Sequence, residues 1–374
     1  MVDLIIDGYI YQYNSFGGNL RIYNEILPRM CEIDKELSVT IATTGSCSST
    51  LPHGNRISHK KILPIERYLK PSQILWPMKP IIRSLLMQIQ IGRGKGKIWH
   101  STYYTLPLVW NGHIAVTVLD LIYHLFPEYY NKPGDQMVRD QIRKSLLAAD
   151  VIFSISRTTA QDLVRIFKVP NEKIIITPLA SSKKFCILPS DFLEQCSVPF
   201  KPYLLYVGRR SHYKNFMGLL RSYRLWNNRY NVNLVVVGPL WTEIEKRFIE
   251  DNNLKHKVHL LTNINDRCLN VLYNQADAFI YPSIYEGFGI PLLEAMSTGC
   301  PIIASCIPST IEVAGDCPIY FDVGEPDSLI CAFEKMVLEG RQSEHVRKGL
   351  EKVQLYSWEK TASLILDGYR SLDN

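Results

Sequence analysis

Pro282-Ser283-Ile284-Tyr285-Glu286-Gly287-Phe288-Gly289-Ile290-Pro291-Leu292-Leu293-Glu294-Ala295-Met296-Ser297-Thr298-Gly299-Cys300-Pro301 is the stretch of this 374-residue sequence that decides the fold. The apolar run Ala278–Tyr281 before it reads as a buried strand and stops at Pro282. A glycine-bearing turn follows, and a helix opens near Ile290–Pro291, with proline suited to the first helical position. The backbone N–H groups of Phe288, Gly289 and Ile290 then point out of a helix N-terminus, which is a site for an anion such as a diphosphate. Gly287 and Gly289 let the backbone approach such a ligand closely. Glu286 sits in the turn and Glu294 one turn into the helix, eight residues on. Carboxylates that only accept hydrogen bonds are suited to gripping the hydroxyls at the two ends of a nucleotide sugar.

Moving outward, the strand–turn–helix unit recurs through both halves. The first half predicts strands at Val2–Ile6, Ser38–Ala42, Lys97–His100, Ile114–Leu119, Val151–Ile155 and Lys173–Thr177. Helices fall between them at Leu20–Met30, Gln136–Ala149 and Thr159–Phe167, the last capped by Ser156 or Thr158. The second half predicts strands at Tyr203–Val207, Asn233–Val237, Val258–Leu261, Ala278–Tyr281, Ile302–Ala304 and Ile319–Phe321. Its helices are Phe216–Asn227, Trp241–Asn252, Cys268–Gln275, Pro291–Ser297 and Leu329–Leu338. Strands alternating with helices build parallel sheets covered on both faces. The expected architecture is α/β: two Rossmann-like βαβ domains, 1–185 and 200–355, facing each other across a ligand cleft. Ser181–Lys201, with Pro189 and Pro199, reads as the join. A helix led by Trp358 within 356–374 is expected to cross back to the first domain.

The whole string, E-x7-E followed by Glu294-Ala295-Met296 and Gly299-Cys300-Pro301, resembles the signature of glycosyltransferase family 4, a retaining group with the GT-B fold. Val207-Gly208-Arg209-Arg210-Ser211-His212-Tyr213-Lys214-Asn215 is similar to the strand and loop that, in that family, bring an Arg and a Lys to the donor phosphates. Phe16-Gly17-Gly18 resembles its glycine-rich first loop, and Tyr356-Ser357-Trp358-Glu359 its last crossing helix.

The resemblance implies a hexosyltransferase that uses a nucleotide-diphosphate sugar and acts with retention. Arg209, Lys214 and Glu286 would be catalytic. Gly17, Gly18, Asn215, Thr262, Asn263, Ile264, Gly287, Phe288, Gly289, Ile290 and Glu294 would bind the donor, with Glu286 on the sugar, Glu294 on the ribose and the base near 262–264. Fixed cations at the leaving phosphate stabilise the transition state more than the ground state. Arg grips two oxygens and Lys adds a point charge. The sequence has no D-x-D, so neither a metal nor any other cofactor is expected. The family's His before Asp120 is replaced by Leu119, which leaves Asp120 and His124 as candidates for an acceptor or sugar contact. The Asp120-Leu121-Ile122 to Phe126-Pro127-Glu128 stretch is similar to that of mannosyltransferases of surface polysaccharide assembly, and leans toward GDP-mannose. The acceptor would be a glycan, a lipid-linked sugar or another hydroxyl.

Composition fits this reading. The chain is 46% hydrophobic and 21% charged, and contains no apolar run long enough to span a membrane. Asp3 and Asp7 stand where a secretion signal would carry Lys or Arg, so a cytoplasmic protein is expected. Its nine cysteines include no C-x-x-C pair, and read as buried free thiols rather than disulfides or a zinc site. Net charge is +6, with 23 Lys/Arg against 14 Asp/Glu in residues 1–190 and 19 against 22 in the rest. The acidic second half and the lack of a base-stacking motif disfavour nucleic acid. Residues 51–97 concentrate basic side chains among apolar ones, which suits a peripheral contact with an anionic membrane at its inner face, or attraction to a phosphate-bearing acceptor. Gly92, Gly94 and Gly96 there precede a strand rather than a helix. They therefore read as a mobile basic turn, not a phosphate loop. Two other functions stay open: a GT-B sugar-nucleotide epimerase, and a nucleotide-sugar-binding homologue that has lost turnover.

Overall fold

The computed structural model describes residues 3–13, 18–44, 47, 51–62, 85, 88–89, 91–196, 198–227 and 229–372. They divide into two units, Met1–Leu179 with Trp358–Asn374, and Ala180–Ser357.

The first unit is built on a seven-stranded sheet. Its strands are β1 (Asp3–Asp7), β2 (Ser38–Thr44), β3 (Ile57–Ile62), β4 (Lys97–Ser101), β5 (His113–Val118), β6 (Val151–Ser154) and β7 (Ile174–Ile176). They lie in the order β3-β2-β1-β4-β5-β6-β7 with every pairing parallel. The inner strands are mostly apolar, as expected of a parallel sheet covered by helices. Leu4, Ile6, Val39, Trp99, Val116, Ile152 and Phe153 are all buried. Between β6 and β7 runs the helix Arg157–Phe167, whose N-cap Ser156 accepts a hydrogen bond from the N–H of Thr159. The last helix, Trp358–Arg370, belongs to this unit and packs on the helix Gly18–Ile33 and on β6 and β7. Thr361 donates to the carbonyl of Pro178 at 2.5 Å. Gly368 lies so close to the ring of Phe153 that a Cβ there would meet it at 2.5 Å.

Three features depart from the expectations. β3 was not anticipated: Ser58, His59, Lys60 and Lys61 lack the apolar pattern because β3 is an exposed edge strand, where lysines discourage pairing with other chains. The glycine turn 92–96 is packed rather than loose: a Cβ on Gly94 would meet the Trp110 ring at 2.4 Å, and the N–H of Lys97 bonds the carbonyl of Gly94. All three glycines have positive φ, which explains their choice. Finally, Cys186, Cys268, Cys306 and Cys331 are exposed rather than buried, although all nine cysteines are free thiols.

The second unit carries six strands: β8 (Tyr203–Val207), β9 (Asn233–Val237), β10 (Val258–Leu261), β11 (Ala278–Tyr281), β12 (Ile302–Ser305) and β13 (Ile319–Phe321). Their order is β10-β9-β8-β11-β12-β13, again all parallel. Leu204, Phe216, Leu219, Tyr223, Trp226, Leu234, Ile280 and Phe333 form part of its core. Residues 180–201, expected as the end of the first domain and the join, are part of this unit. The backbone N–H groups of Cys186 and Leu188 donate to the side chains of Asn270 and Asn274, and Gln275 donates to the carbonyls of Leu193 and Cys196. A segment held by four such bonds is docked, not a tether.

Candidate active site

The strand order of the second sheet reverses between β8 and β11, and ligands of such sheets bind outside the carboxyl ends of the strands at that point. Both sequence motifs emerge there. β8 runs into Gly208, whose φ of +142° only glycine adopts freely, and then into a single 3-10 turn, His212–Lys214. Asn215 ends that turn in the left-handed region and the helix Phe216–Asn227 begins. β11 runs into Pro282–Gly289 and the helix Ile290–Ser297. The two loops are tied together, since the N–H of Ile284 bonds the carbonyl of Tyr213 at 2.7 Å.

Between them sits a compact charged group. Lys214 Nζ is 2.5 Å from Glu286 Oε1, with side-chain exposures of 21% and 10%, so the pair is largely shielded from water. Ser283 Oγ donates to the same carboxylate oxygen at 2.5 Å. Ser283 is itself held from below: its carbonyl accepts from Ser305 Oγ at 2.5 Å, and the carbonyl of Ser305 accepts from Thr310 Oγ1 at 2.6 Å. The ring of Tyr281 lies 5.9 Å from Lys214 Nζ. Burial, with the Glu286 carboxylate beside it, pushes the Tyr281 phenol well above its ordinary pKa, so it stays protonated.

The helix that opens at Ile290 has Gly289 as its N-cap, with φ +113°, and no side chain caps it. A Cβ at Gly289 would meet Leu292 at 2.9 Å and the Tyr281 hydroxyl at 3.3 Å, so geometry and space both require glycine. An N-terminus without a side-chain cap keeps its N–H groups available to an anion. Gly287 and Phe288 are buried in the turn, and the Phe288 ring packs edge-on to Tyr356 at 5.8 Å. Phe288 thus offers a ligand only its backbone. Glu294 is buried and accepts a hydrogen bond from the Tyr273 hydroxyl at 3.1 Å.

Arg209 is exposed, and no carboxylate among the described residues pairs with it. Its carbonyl accepts from the Tyr206 hydroxyl at 2.7 Å. Asn215 turns its side chain over Gly218, where a Cβ would meet its Oδ1 at 2.3 Å. Thr262 and Asn263 are exposed and Ile264 half-buried in the loop after β10, an edge strand two places from β8.

The remaining candidates belong to the first unit. Gly17 lies outside the described residues, and Gly18 opens the helix Gly18–Ile33. Asp120 follows β5 and accepts from the N–H of Ile122 at 3.1 Å. His124 sits in the helix Ile122–Leu125 with its ring edge-on to Phe167 at 4.7 Å. Its Nδ1 is buried without a hydrogen-bond partner among the described residues. Burial, then the nearby Arg139 and Arg143, hold its pKa down, so the ring is neutral. That environment is a packed aromatic contact. Of the basic stretch 51–97, residues 63–84, 86–87 and 90 lie outside the described residues.

Sequence reasoning overlooked Ser283, although it stands inside the quoted block three residues before Glu286. It also overlooked the partner role of Arg210, whose side chain is 2% exposed and pairs with Glu245.

No helix among the described residues is long and apolar enough to cross a membrane, and no group of three or more His, Cys, Asp or Glu among them could hold a metal ion. Residues 197–352 match the family model of the glycosyl transferases group 1. The chain is 29% identical over 293 residues to the O-antigen chain mannosyltransferase B of Escherichia coli, covering 74% of this chain and 75% of that protein. It is 29% identical over 246 residues to the O-antigen chain mannosyltransferase RfbU of Salmonella typhimurium, covering 65% and 66%. A sucrose-phosphate synthase of Thermosynechococcus elongatus has the same fold, with a TM-score of 0.79 over 100% of this chain and 99% of that one at 19% identity. The matched region contains the whole Arg209–Glu294 assembly. With two Rossmann-like units and a group 1 domain in the second of them, the chain is a glycosyltransferase of the GT-B fold class.

Proposed function

We propose that the chain transfers mannose from GDP-mannose to a hydroxyl of a glycan or lipid-linked acceptor, with retention at the anomeric carbon, in the assembly of a surface polysaccharide. The observation that carries this reading is the joining of Lys214, Glu286 and Ser283 below an uncapped helix start at the switch point of the second sheet. The two relatives named as O-antigen mannosyltransferases support the sugar and the pathway. Their names give no support to an epimerase or a non-catalytic homologue.

In this reading the diphosphate lies against the N–H groups of 288–290, with Arg209 and Lys214 on its oxygens. Glu286 accepts from sugar hydroxyls and Glu294 from the ribose, while 262–264 face the base. The bond from the anomeric carbon to the phosphate oxygen breaks as the acceptor oxygen bonds the same face of that carbon. The acceptor's proton passes to the departing phosphate. No separate strong base is then needed, which suits a chain with Leu119 and a packed His124. Charge grows on the phosphate as it leaves, and fixed cations act there most strongly. The transfer needs no metal. It takes place in the cytoplasm, with residues 51–97 resting on the membrane surface.

The test is to offer a panel of nucleotide sugars and follow transfer by NMR. Turnover of GDP-mannose to an α-linked product supports the proposal. An inverted product would defeat the mechanism, and selective use of another donor would defeat the assignment of mannose.

A further inference from the structure

Two arginines follow Gly208, and their side chains do opposite things. Arg209 is exposed, whereas Arg210 turns inward. Arg210 Nε donates to Glu245 Oε1 at 2.8 Å, and Nη2 donates to Glu245 Oε2 at 3.2 Å. Nη2 also reaches the carbonyls of Pro239 and Leu240, both at 2.8 Å. The guanidinium lies over the Trp241 ring at 4.6 Å from its centre, with Phe216 at 5.5 Å. Nη1 is buried and has no hydrogen-bond partner among the described residues. It rests against Gly238, where a Cβ would meet Nη1 at 2.9 Å and the carbonyl oxygen of Gly208 at 2.5 Å. Glu245 also accepts from the N–H of Thr242 at 2.7 Å, within the capping box of the helix Glu243–Asp251.

One side chain therefore joins three pieces: the loop after β8, the loop after β9, and the start of a helix. The fold alone has little need of such a pair, because well-packed apolar side chains of similar volume serve stability as well as a buried ion pair does. What the pair supplies is geometry. A planar guanidinium with two bonds to one carboxylate and two to neighbouring carbonyls admits one placement, and lysine cannot reproduce it. Arg209, one residue earlier, is held through its backbone among the described residues: the Tyr206 hydroxyl bonds its carbonyl, and its neighbour Arg210 is anchored on Glu245.

We infer that Arg210 is a positioning residue for Arg209: its buried pair with Glu245 sets the backbone from which Arg209 reaches the donor's diphosphate. This rests on the role proposed for Arg209 above. Removing Arg210 alone would strand the Glu245 charge and threaten the fold. The informative variants are therefore Arg210→Lys, which keeps the charge, and Arg210→Met with Glu245→Met, which removes both charges at similar volume.

The experiment is a mutant cycle of each with Arg209→Ala, read as kcat and donor KM with GDP-mannose, beside the melting temperature. The double-Met variant is expected to melt within a few degrees of the parent or above it, yet to lose about tenfold or more in kcat. In the parent, Arg209→Ala should cost about a hundredfold, and in either Arg210 background less than tenfold. If Arg209→Ala costs the same factor in every background, Arg210 does not position it and the inference fails. If Arg209→Ala has no effect in the parent, the phosphate clamp of the proposed function fails instead. Should the double-Met variant not fold, Arg210→Lys decides the matter by the same comparison.

Discussion

The two sheets share a strand plan but differ in what stands where that plan reverses. In the second unit the ends of β8 and β11 carry an exposed Arg209, the Lys214–Glu286 pair and a helix start without a side-chain cap. In the first unit the ends of β1 and β4 carry a buried carboxyl. Asp7 is 1% exposed and accepts from Ser101 at 3.1 Å and from the hydroxyls of Thr102 and Thr105. No cation among the described residues pairs with it. Burial outweighs the three hydroxyls and raises its pKa from 3.8 to about 6. Directly beyond it Tyr9 and Tyr103 stack with centroids 5.1 Å apart. One crevice can thus meet an anion, and the other is built from hydroxyls and aromatic rings. Topology chooses the place for a ligand, and a handful of loop residues choose its chemistry.

The sharpest way to break this contrast is to discharge the second crevice. Arg209→Ala and Lys214→Ala should each lower kcat by about 10² to 10³, on the scale of losing an oxyanion-hole donor. The double variant should lose less than the product of the two, since both act on one leaving group. Steady-state kinetics at saturating donor would show it, and wild-type turnover in both variants would remove the phosphate clamp.

Glu286→Gln should lower transfer by about 10² while strengthening binding of the bare nucleoside diphosphate, because Lys214 loses its internal partner. Calorimetric titration with GDP checks the sign. Weaker GDP binding would mean that the pair supports the phosphate site rather than competing with it.

Glu294→Gln keeps an acceptor for the Tyr273 hydroxyl, so the fold should stand. Nucleotide affinity should fall about tenfold, the worth of one charged hydrogen bond, with little change in kcat. An unchanged affinity for GDP would cancel the ribose assignment.

In the first crevice, the raised pKa of Asp7 makes the protonated form the one the fold prefers. Its contribution is therefore fully present below about pH 3.8 and is lost as pH rises through about 6. The loss across that range amounts to about 3 kcal/mol. Asp7→Asn should flatten this part of the pH–stability curve, so the gap in melting temperature between variant and parent should move in the variant's favour from pH 4 to 7. A gap that stays constant would show that Asp7 titrates alike in both states. Treatment with EDTA should change transfer least of all. Complete loss restored by Mg²⁺ or Mn²⁺ would overturn the metal-free reading.

All six strands of the second sheet are legible in the sequence because each is a short, predominantly apolar run, as in Tyr203–Val207 and Ala278–Tyr281. Edges are harder. β3, with Ser58-His59-Lys60-Lys61, carries the polar side chains of a strand open to water on one side, and no apolar period betrays it. Short helices such as Pro308–Ala314 and Ser190–Gln195 hold too few turns to show a period. At the site, Glu286, Lys214 and Gly289 are readable because their residue types carry the chemistry. Ser283 and Arg210 are not, since what they do depends on partners in space. Glu245 is thirty-five residues from Arg210, and nothing in local spacing pairs them.

The helix Trp358–Arg370 has a consequence for the order in which the molecule is built. It supplies Tyr369, which bonds the buried His100 on β4 and lies edge-on to Phe153 on β6. The part of the first sheet that this helix covers therefore stays open until the ribosome has made the whole second unit, which is continuous from Ala180 to Ser357. The usual sequence, in which the part made first is finished first, is reversed here. The second unit can close as it emerges, while the first waits for a segment met only by closing a loop through all of its neighbour. During that wait the half-covered sheet, rich in apolar strands, is the part of the nascent chain that most needs a chaperone.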